Sequence, residues 1–212
     1  MARPRWAALA VLATISLAAC TGGGQAKTTA NGRVDDAGSA APSVKAARSS
    51  AELSGKLDLT VPDGYALQPD NLDDTGPSDL DKAVSDDGGD DAREVLTRDH
   101  FVRGYQREWA RNDKDQIVSY VYQFADNAGA TDYTTRVIAG SGAPPAETSA
   151  GVFGVPDIAG AVGVNGSDPT FPTSSVTFVK GPYSVQVVVN GASPAGLQAM
   201  ASALAEEQYA RL

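Results

Sequence analysis

The chain has 212 residues with 26 acidic and 17 basic side chains, a formal net charge of −9. That length fits one principal domain, and the excess of carboxylates argues against nucleic acid or anionic headgroups, both of which are bound by clustered Lys and Arg. One cysteine, Cys20, and one histidine, His100, leave no disulfide framework, no zinc spacing and little triad chemistry, so stability must come from a packed core.

At the N-terminus, Arg3 and Arg5 precede a mostly apolar run from Trp6 to Ser16, and Leu17-Ala18-Ala19-Cys20 follows it. A positive n-region, a short apolar h-region and small residues before a cleavage point form a secretory signal. About a dozen apolar residues fall short of the ~20 that a membrane-spanning helix needs. The Leu-Ala-Ala-Cys spacing directly after the h-region resembles the lipobox of bacterial lipoproteins. That resemblance implies a signal peptide over residues 1–19, a diacylglyceryl thioether on Cys20, and Cys20 as the mature N-terminus. An ordinary secretory signal with an incidental cysteine is the competing reading. Two or three acyl chains would hold the chain firmly at a membrane, whereas one is marginal.

Residues 20–55 read as a lipid-anchored flexible tether. From Thr21 to about Ser54 the chain is Gly, Ala, Ser, Thr, Asn and Asp with scattered cations, and it has no aromatic residue. Such a segment buries too little to offset its ordering entropy. Ser43 to Leu53 has the makings of a transient helix, with nothing to argue that it docks.

Residues 56–212 read as one α+β domain. Lys56-Leu-Asp-Leu-Thr-Val61 alternates and predicts a first strand with Leu57, Leu59 and Val61 inward. Pro77-Ser78-Asp79 opens a short helix that Gly88-Gly89 breaks, and a second short helix is expected from Asp91 to Thr97. Between them, Asp86-Asp87-Gly88-Gly89-Asp90-Asp91 offers carboxylates to a hard cation. Its spacing lacks the alternating ligands and closing Glu of an EF-hand, so a solvated acidic loop is the simpler expectation. Phe101 to Trp109 predicts a strand with Tyr105 and Trp109 packed beside snorkelling arginines; the same stripe could serve a sugar or base as a platform. Asp115 to Phe124 is a second strand, joined to the first by a short turn at Arg111–Lys114. Asp126 caps a helix running to about Ala139, with Ala130, Tyr133 and Val137 facing the sheet.

Ser141 to Ser149, with Pro144-Pro145, is a loop. Short extended pieces follow at Gly151–Pro156 and Ala159–Val164. Ser174–Val179 and Tyr183–Val189 alternate strictly about Lys180-Gly181-Pro182 and form the clearest hairpin. Ser193-Pro194 starts a final helix to about Arg211, with Leu197, Met200, Ala201, Leu204 and Gln208 along one side. These elements predict an antiparallel sheet with helices packed on it, and the repeated strand-strand-helix order suggests two related halves. Lipobox, Gly/Ala/Ser tether and small α+β domain together resemble actinobacterial envelope lipoproteins, some of whose domains also serve as extracellular sensors. Beyond Cys20, the resemblance carries over no residues.

Catalytic vocabulary is sparse. No P-loop, dinucleotide fingerprint or metal spacing occurs, and Gly140-Ser141-Gly142 lacks the strand-turn-helix setting of a nucleophile elbow. No cofactor, metal ligand or catalytic residue is therefore assigned. The expected function is a non-enzymatic binding or interaction module on the extracytoplasmic face of the cell membrane. It would be held by lipid on Cys20, with an envelope protein, a glycan or a small lipophilic molecule as partner and no nucleic acid. The alternative is a small envelope hydrolase using His100, oriented by Asp99, or paired carboxylates.

Overall fold

A computed structural model describes residues 44–71, 75–140, 151–166, 168 and 170–212. The signal peptide, Cys20, residues 20–43 of the expected tether and the loop at 141–149 lie outside the described residues. The unit that follows begins at Val44 and runs to Leu212.

In chain order, its elements are α1 (Ser50–Lys56), β1 (Ala66–Leu67), β2 (Gly76–Ser78), α2 (Leu80–Asp87) and α3 (Ala92–Arg98). Next come β3 (Phe101–Ala110), β4 (Gln116–Phe124) and α4 (Asn127–Gly140). The last are β5 (Val152–Gly154), β6 (Val162–Asn165), β7 (Thr173–Lys180), β8 (Tyr183–Asn190) and α5 (Leu197–Arg211). The strands form one eight-stranded sheet in the order β1-β3-β4-β8-β7-β6-β5, with β2 also on the outer side of β3. Every pairing is antiparallel. The architecture is α+β, as the periodicities predict.

Both sheet faces are covered. One carries Tyr105, Trp109, Ile117, Val121, Val176, Phe178, Tyr183, Val185, Val187 and Val189, packed against Leu53 and Leu57 and against Leu197, Ala201, Leu204 and Ala205 of α5. The other carries Tyr122 and Phe124 beneath Ala83 of α2, Val95 and Leu96 of α3, and Ala130 and Tyr133 of α4. Helix α4 begins where expected: the Asp126 carboxylate accepts the N–H of Gly129 at 3.0 Å. In the β3–β4 turn, the Asn112 side-chain oxygen accepts the N–H groups of Lys114 and Asp115 at 2.8 and 2.9 Å, the local bonding that suits Asn to turns. The Asp115 carboxylate then accepts from Asn112, Arg111 and the backbone N–H of Ala192, tying this turn to the segment that leads into α5.

Three expectations change. Residues 44–55, assigned to the tether on composition, are folded onto the sheet. Leu53 is fully buried, Ser49 caps α1 through the N–H of Glu52, and the Ala47 N–H donates to the Tyr183 hydroxyl at 2.6 Å. The Lys56–Val61 stretch is not a strand. Its alternation correctly buries Leu57 and Leu59, but the outer side of β3 is already occupied by β1 and β2. The Thr60 N–H and hydroxyl donate instead to the Glu207 carboxylate on α5. Finally, α5 starts at Leu197 rather than after Ser193, because Gly196 adopts φ +82° and separates the Ser193-Pro194 turn from the helix.

The repeated element order does not produce related halves in space. β4 and β8 lie side by side and antiparallel at the centre, yet α4 packs on one face and α5 on the other. The two strand-strand-helix units thus have opposite hands, and no rotation superposes them.

Two outcomes follow from this packing. Leu53→Ala should destabilise the domain by about 2–5 kcal/mol, the cost of emptying a buried leucine site; a urea midpoint unchanged from wild type would mean that α1 is not docked. The Asp115 carboxyl is held below the ordinary carboxylate range by the Ala192 N–H, then by Asn112 and Arg111. A lowered folded-state pKa gives stability that is present above the unfolded value of about 3.9 and is lost as pH falls through the folded value. Wild type should therefore melt above Asp115→Asn at pH 7, with the difference closing as the pH falls below the unfolded value of about 3.9. A pH-independent difference would contradict this.

Candidate functional site

Two carboxylates of the acidic stretch, Asp86 and Asp87, are turned inward, while Asp70, Asp79, Asp81, Asp90 and Asp91 stay exposed. Gly88, at φ +69°, ends α2, and this turn directs Asp86 and Asp87 toward the sheet. The Lys82 ammonium donates to Asp86 at 2.9 Å and to the Gln106 side-chain oxygen at 3.2 Å. The Tyr122 hydroxyl also donates to Asp86, at 3.3 Å. The Tyr133 hydroxyl donates to Asp87 at 3.0 Å, and the Arg136 guanidinium grips Asp87 in a fork at 2.9 and 3.1 Å. Arg136 also donates to Asp91. These bonds, with Asp91 first, hold the Arg136 guanidinium above its usual range, while burial raises both tyrosine hydroxyls. The loop expected to be solvated is so at Asp90 and Asp91, whereas Asp86 and Asp87 are drawn in, and with Asp91 they clamp α2 and α3 to α4. Among the described residues, no group of three His, Cys, Asp or Glu side chains could hold a metal ion.

The aromatic–arginine stripe of β3 is core. Tyr105 and Trp109 are buried, and the Tyr105 hydroxyl donates to Asp70. Arg107 lies along them and donates to the Ser54 hydroxyl at 2.8 Å and to Asp58 at 3.5 Å. The stripe thus packs beneath α1 and its following segment instead of forming an open platform.

His100 sits at the junction of α3 and β3, exposed, with φ +60°. Its N–H bonds the Thr97 carbonyl at 3.2 Å, and its carbonyl accepts from Ala125 at 3.0 Å. Asp99, expected to orient the imidazole, is instead held by Arg98 at 2.7 and 3.1 Å. The close approach of α4 explains the sharp reversal here: a Cβ on Gly129 would lie 2.0 Å from the Asp99 carbonyl oxygen. His100 therefore has a visible backbone role at this junction.

A recess of about 310 Å³ lies between the 60–62 segment and α5, lined by Pro62, Met200, Ala203 and Leu204 with Thr60 and Glu207. Its one carboxylate, Glu207, is already occupied by Thr60 and Arg211. This is space for a small apolar group, with no spare polar atom aimed into it for chemistry.

A feature that sequence reading missed is a row of polar side chains across the first face. Register places Lys180 opposite Tyr183, Tyr183 opposite Gln123, and Gln123 opposite Arg103. The Lys56 ammonium lies 5.9 Å from the centre of the Tyr183 ring. These residues are far apart in sequence, and only strand pairing brings them together.

No family model matches the chain, and no curated sequence matches it. Among solved structures, the extracellular domain of PknH from Mycobacterium tuberculosis superposes with a TM-score of 0.45 and 11% identity, over 77% of this chain and 92% of that one.

If His100 serves only the reversal, His100→Gly should leave the domain at least as stable as wild type, with a gain of up to ~1 kcal/mol from relief of the left-handed backbone. A fall in melting temperature would show that the imidazole makes a contribution of its own.

Proposed function

We propose that this chain is a lipid-anchored, extracytoplasmic interaction module without an enzymatic activity of its own. The observation that carries the reading is Leu17-Ala18-Ala19-Cys20 placed directly after a short apolar run behind Arg3 and Arg5. Among the described residues, no helix is long and apolar enough to cross a membrane, so membrane retention would rest on acyl chains at Cys20. The folded unit begins at Val44. The inward use of Asp86, Asp87 and the Tyr105–Trp109 stripe leaves surface contacts as the means of recognition. An envelope protein, a glycan or a small lipophilic group at the α5 recess fits that description.

Cys20→Ala should abolish palmitate incorporation and move the chain from the membrane to the soluble fraction. Retention of label and membrane association in the variant would overturn the anchoring reading.

A further inference from the structure

The thirteen cations from Lys45 to Arg211 divide into two groups. Eight have a carboxylate within ion-pair distance: Arg48, Lys82, Arg93, Arg98, Arg107, Arg111, Arg136 and Arg211. Among the described residues, the other five are Lys45, Lys56, Lys114, Arg103 and Lys180. Lys114 lies in the β3–β4 turn. Of the remaining four, Lys56 lies over the Tyr183 ring, Arg103 and Lys180 share its row on the sheet, and Lys45 meets Tyr183 through its backbone carbonyl, in a unit whose acids outnumber its bases.

The convergence is built by the sheet. Lys180, Tyr183, Gln123 and Arg103 occupy one row over four adjacent strands, about 14 Å from end to end at ~4.8 Å per strand. Lys56 overhangs Tyr183 from the end of α1, and the Tyr183 hydroxyl donates to the Lys45 carbonyl at 3.0 Å. Within this row, the Arg103 Nε and the Gln123 side-chain oxygen are both buried with no hydrogen-bond partner. Leaving such groups unsatisfied is costly, as is placing like charges side by side. The Lys180 ammonium is pushed below its usual range by burial and by Lys56. Glu52 of α1 is the carboxylate whose field reaches Tyr183, but it already accepts the Arg48 N–H at 3.0 Å.

We infer that the row Arg103–Gln123–Tyr183–Lys180, overhung by Lys56, is an anion site that takes a phosphate group. The unpartnered Arg103 Nε–H, the Lys56 ammonium and the Lys180 ammonium, which spends one N–H on the Tyr209 carbonyl at 2.6 Å, supply donors of the kind that a tetrahedral, multiply bonded anion takes. The missing counter-charge then comes from the ligand. Net charge conceals the site, because a chain acidic overall still concentrates its unpaired cations in one place. Val44, where the folded unit begins, packs against the Gly181 turn beside Lys180. If the chain is anchored at Cys20, a lipid headgroup is one source of the phosphate. A soluble phosphate compound is the other.

The test titrates inorganic phosphate into the detergent-extracted full chain at constant ionic strength against chloride, reading melting temperature and heat of binding. Wild type should show saturable, single-site binding and a rise in melting temperature. Lys56→Gln and the Lys56→Gln/Arg103→Gln pair should weaken binding at least tenfold, and Lys114→Gln should leave it unchanged. Lys56→Gln should also melt higher than wild type in chloride alone, because one member of a repelling cluster is gone; a merely structural lysine would not do this. Absence of phosphate-specific binding in wild type, or an equal loss in Lys114→Gln, overturns the site. Dihexanoyl phosphatidylglycerol and dihexanoyl phosphatidylcholine separate the sources. Phosphatidylglycerol that displaces phosphate, where phosphatidylcholine does not, assigns a headgroup; phosphate binding that neither lipid displaces assigns a soluble compound. Both outcomes bear out the site, and neither depends on acylation of Cys20.

Discussion

Strand β4 is buried on both of its faces, and the rest of the domain answers that constraint. Ile117, Ser119, Val121 and Gln123 point one way and Val118, Tyr120, Tyr122 and Phe124 the other, with all but Tyr120 buried. A sheet whose central strand is apolar on both sides needs cover on both sides. With a single cysteine in the chain, no intramolecular disulfide can substitute for that burial. Helices α1 and α5 therefore close one face and α2, α3 and α4 the other. The opposite hands of the two strand-strand-helix units are a consequence: were both helices to pack on the same face, the other would lose its cover.

Polar groups caught inside this arrangement are matched to one another. The Gln208 amide donates to the Lys56 carbonyl at 2.8 Å and accepts from the Ser119 hydroxyl at 3.2 Å, joining α5, α1 and β4 through one buried side chain. The Thr134 hydroxyl of α4 meets Ser184 of β8 at 2.7 Å. The Asp86–Tyr122 and Asp87–Tyr133 pairs do the same work beneath α2. Among the described residues, four buried side-chain atoms lack a partner, the Ser78 and Ser174 hydroxyls, the Arg103 Nε and the Gln123 oxygen, and the last two lie opposite each other in the β3–β4 register.

How much of this was legible in the sequence depended on the range of the signal. β3, β4, β7 and β8 were readable because alternation and turn residues are local, as at Asn112 and Gly181; α4 was readable from Asp126 and its inward spacing. α1 was not, because seven residues with one core side chain, Leu53, carry too little periodicity to separate from a Ser/Ala-rich tether. Alternation at Lys56–Val61 was real but ambiguous: it fixed which side chains go inward without showing whether a partner strand was vacant. The start of α5 depended on a left-handed Gly196, which the Ser-Pro cap signal overrode. Likewise, counting carboxylates could not show that Asp86 and Asp87 point at tyrosines. The cation row required register, which no local pattern contains.

The account rests on Cys20 as the mature, acylated N-terminus of an otherwise self-sufficient domain. Intact mass spectrometry of the chain extracted from membranes tests this most directly. The account predicts a mass that begins at Cys20 and exceeds the polypeptide by a diacylglyceryl group, with or without a further acyl chain. A mass with no acyl increment, whether the chain begins at Met1 or after cleavage, would contradict it.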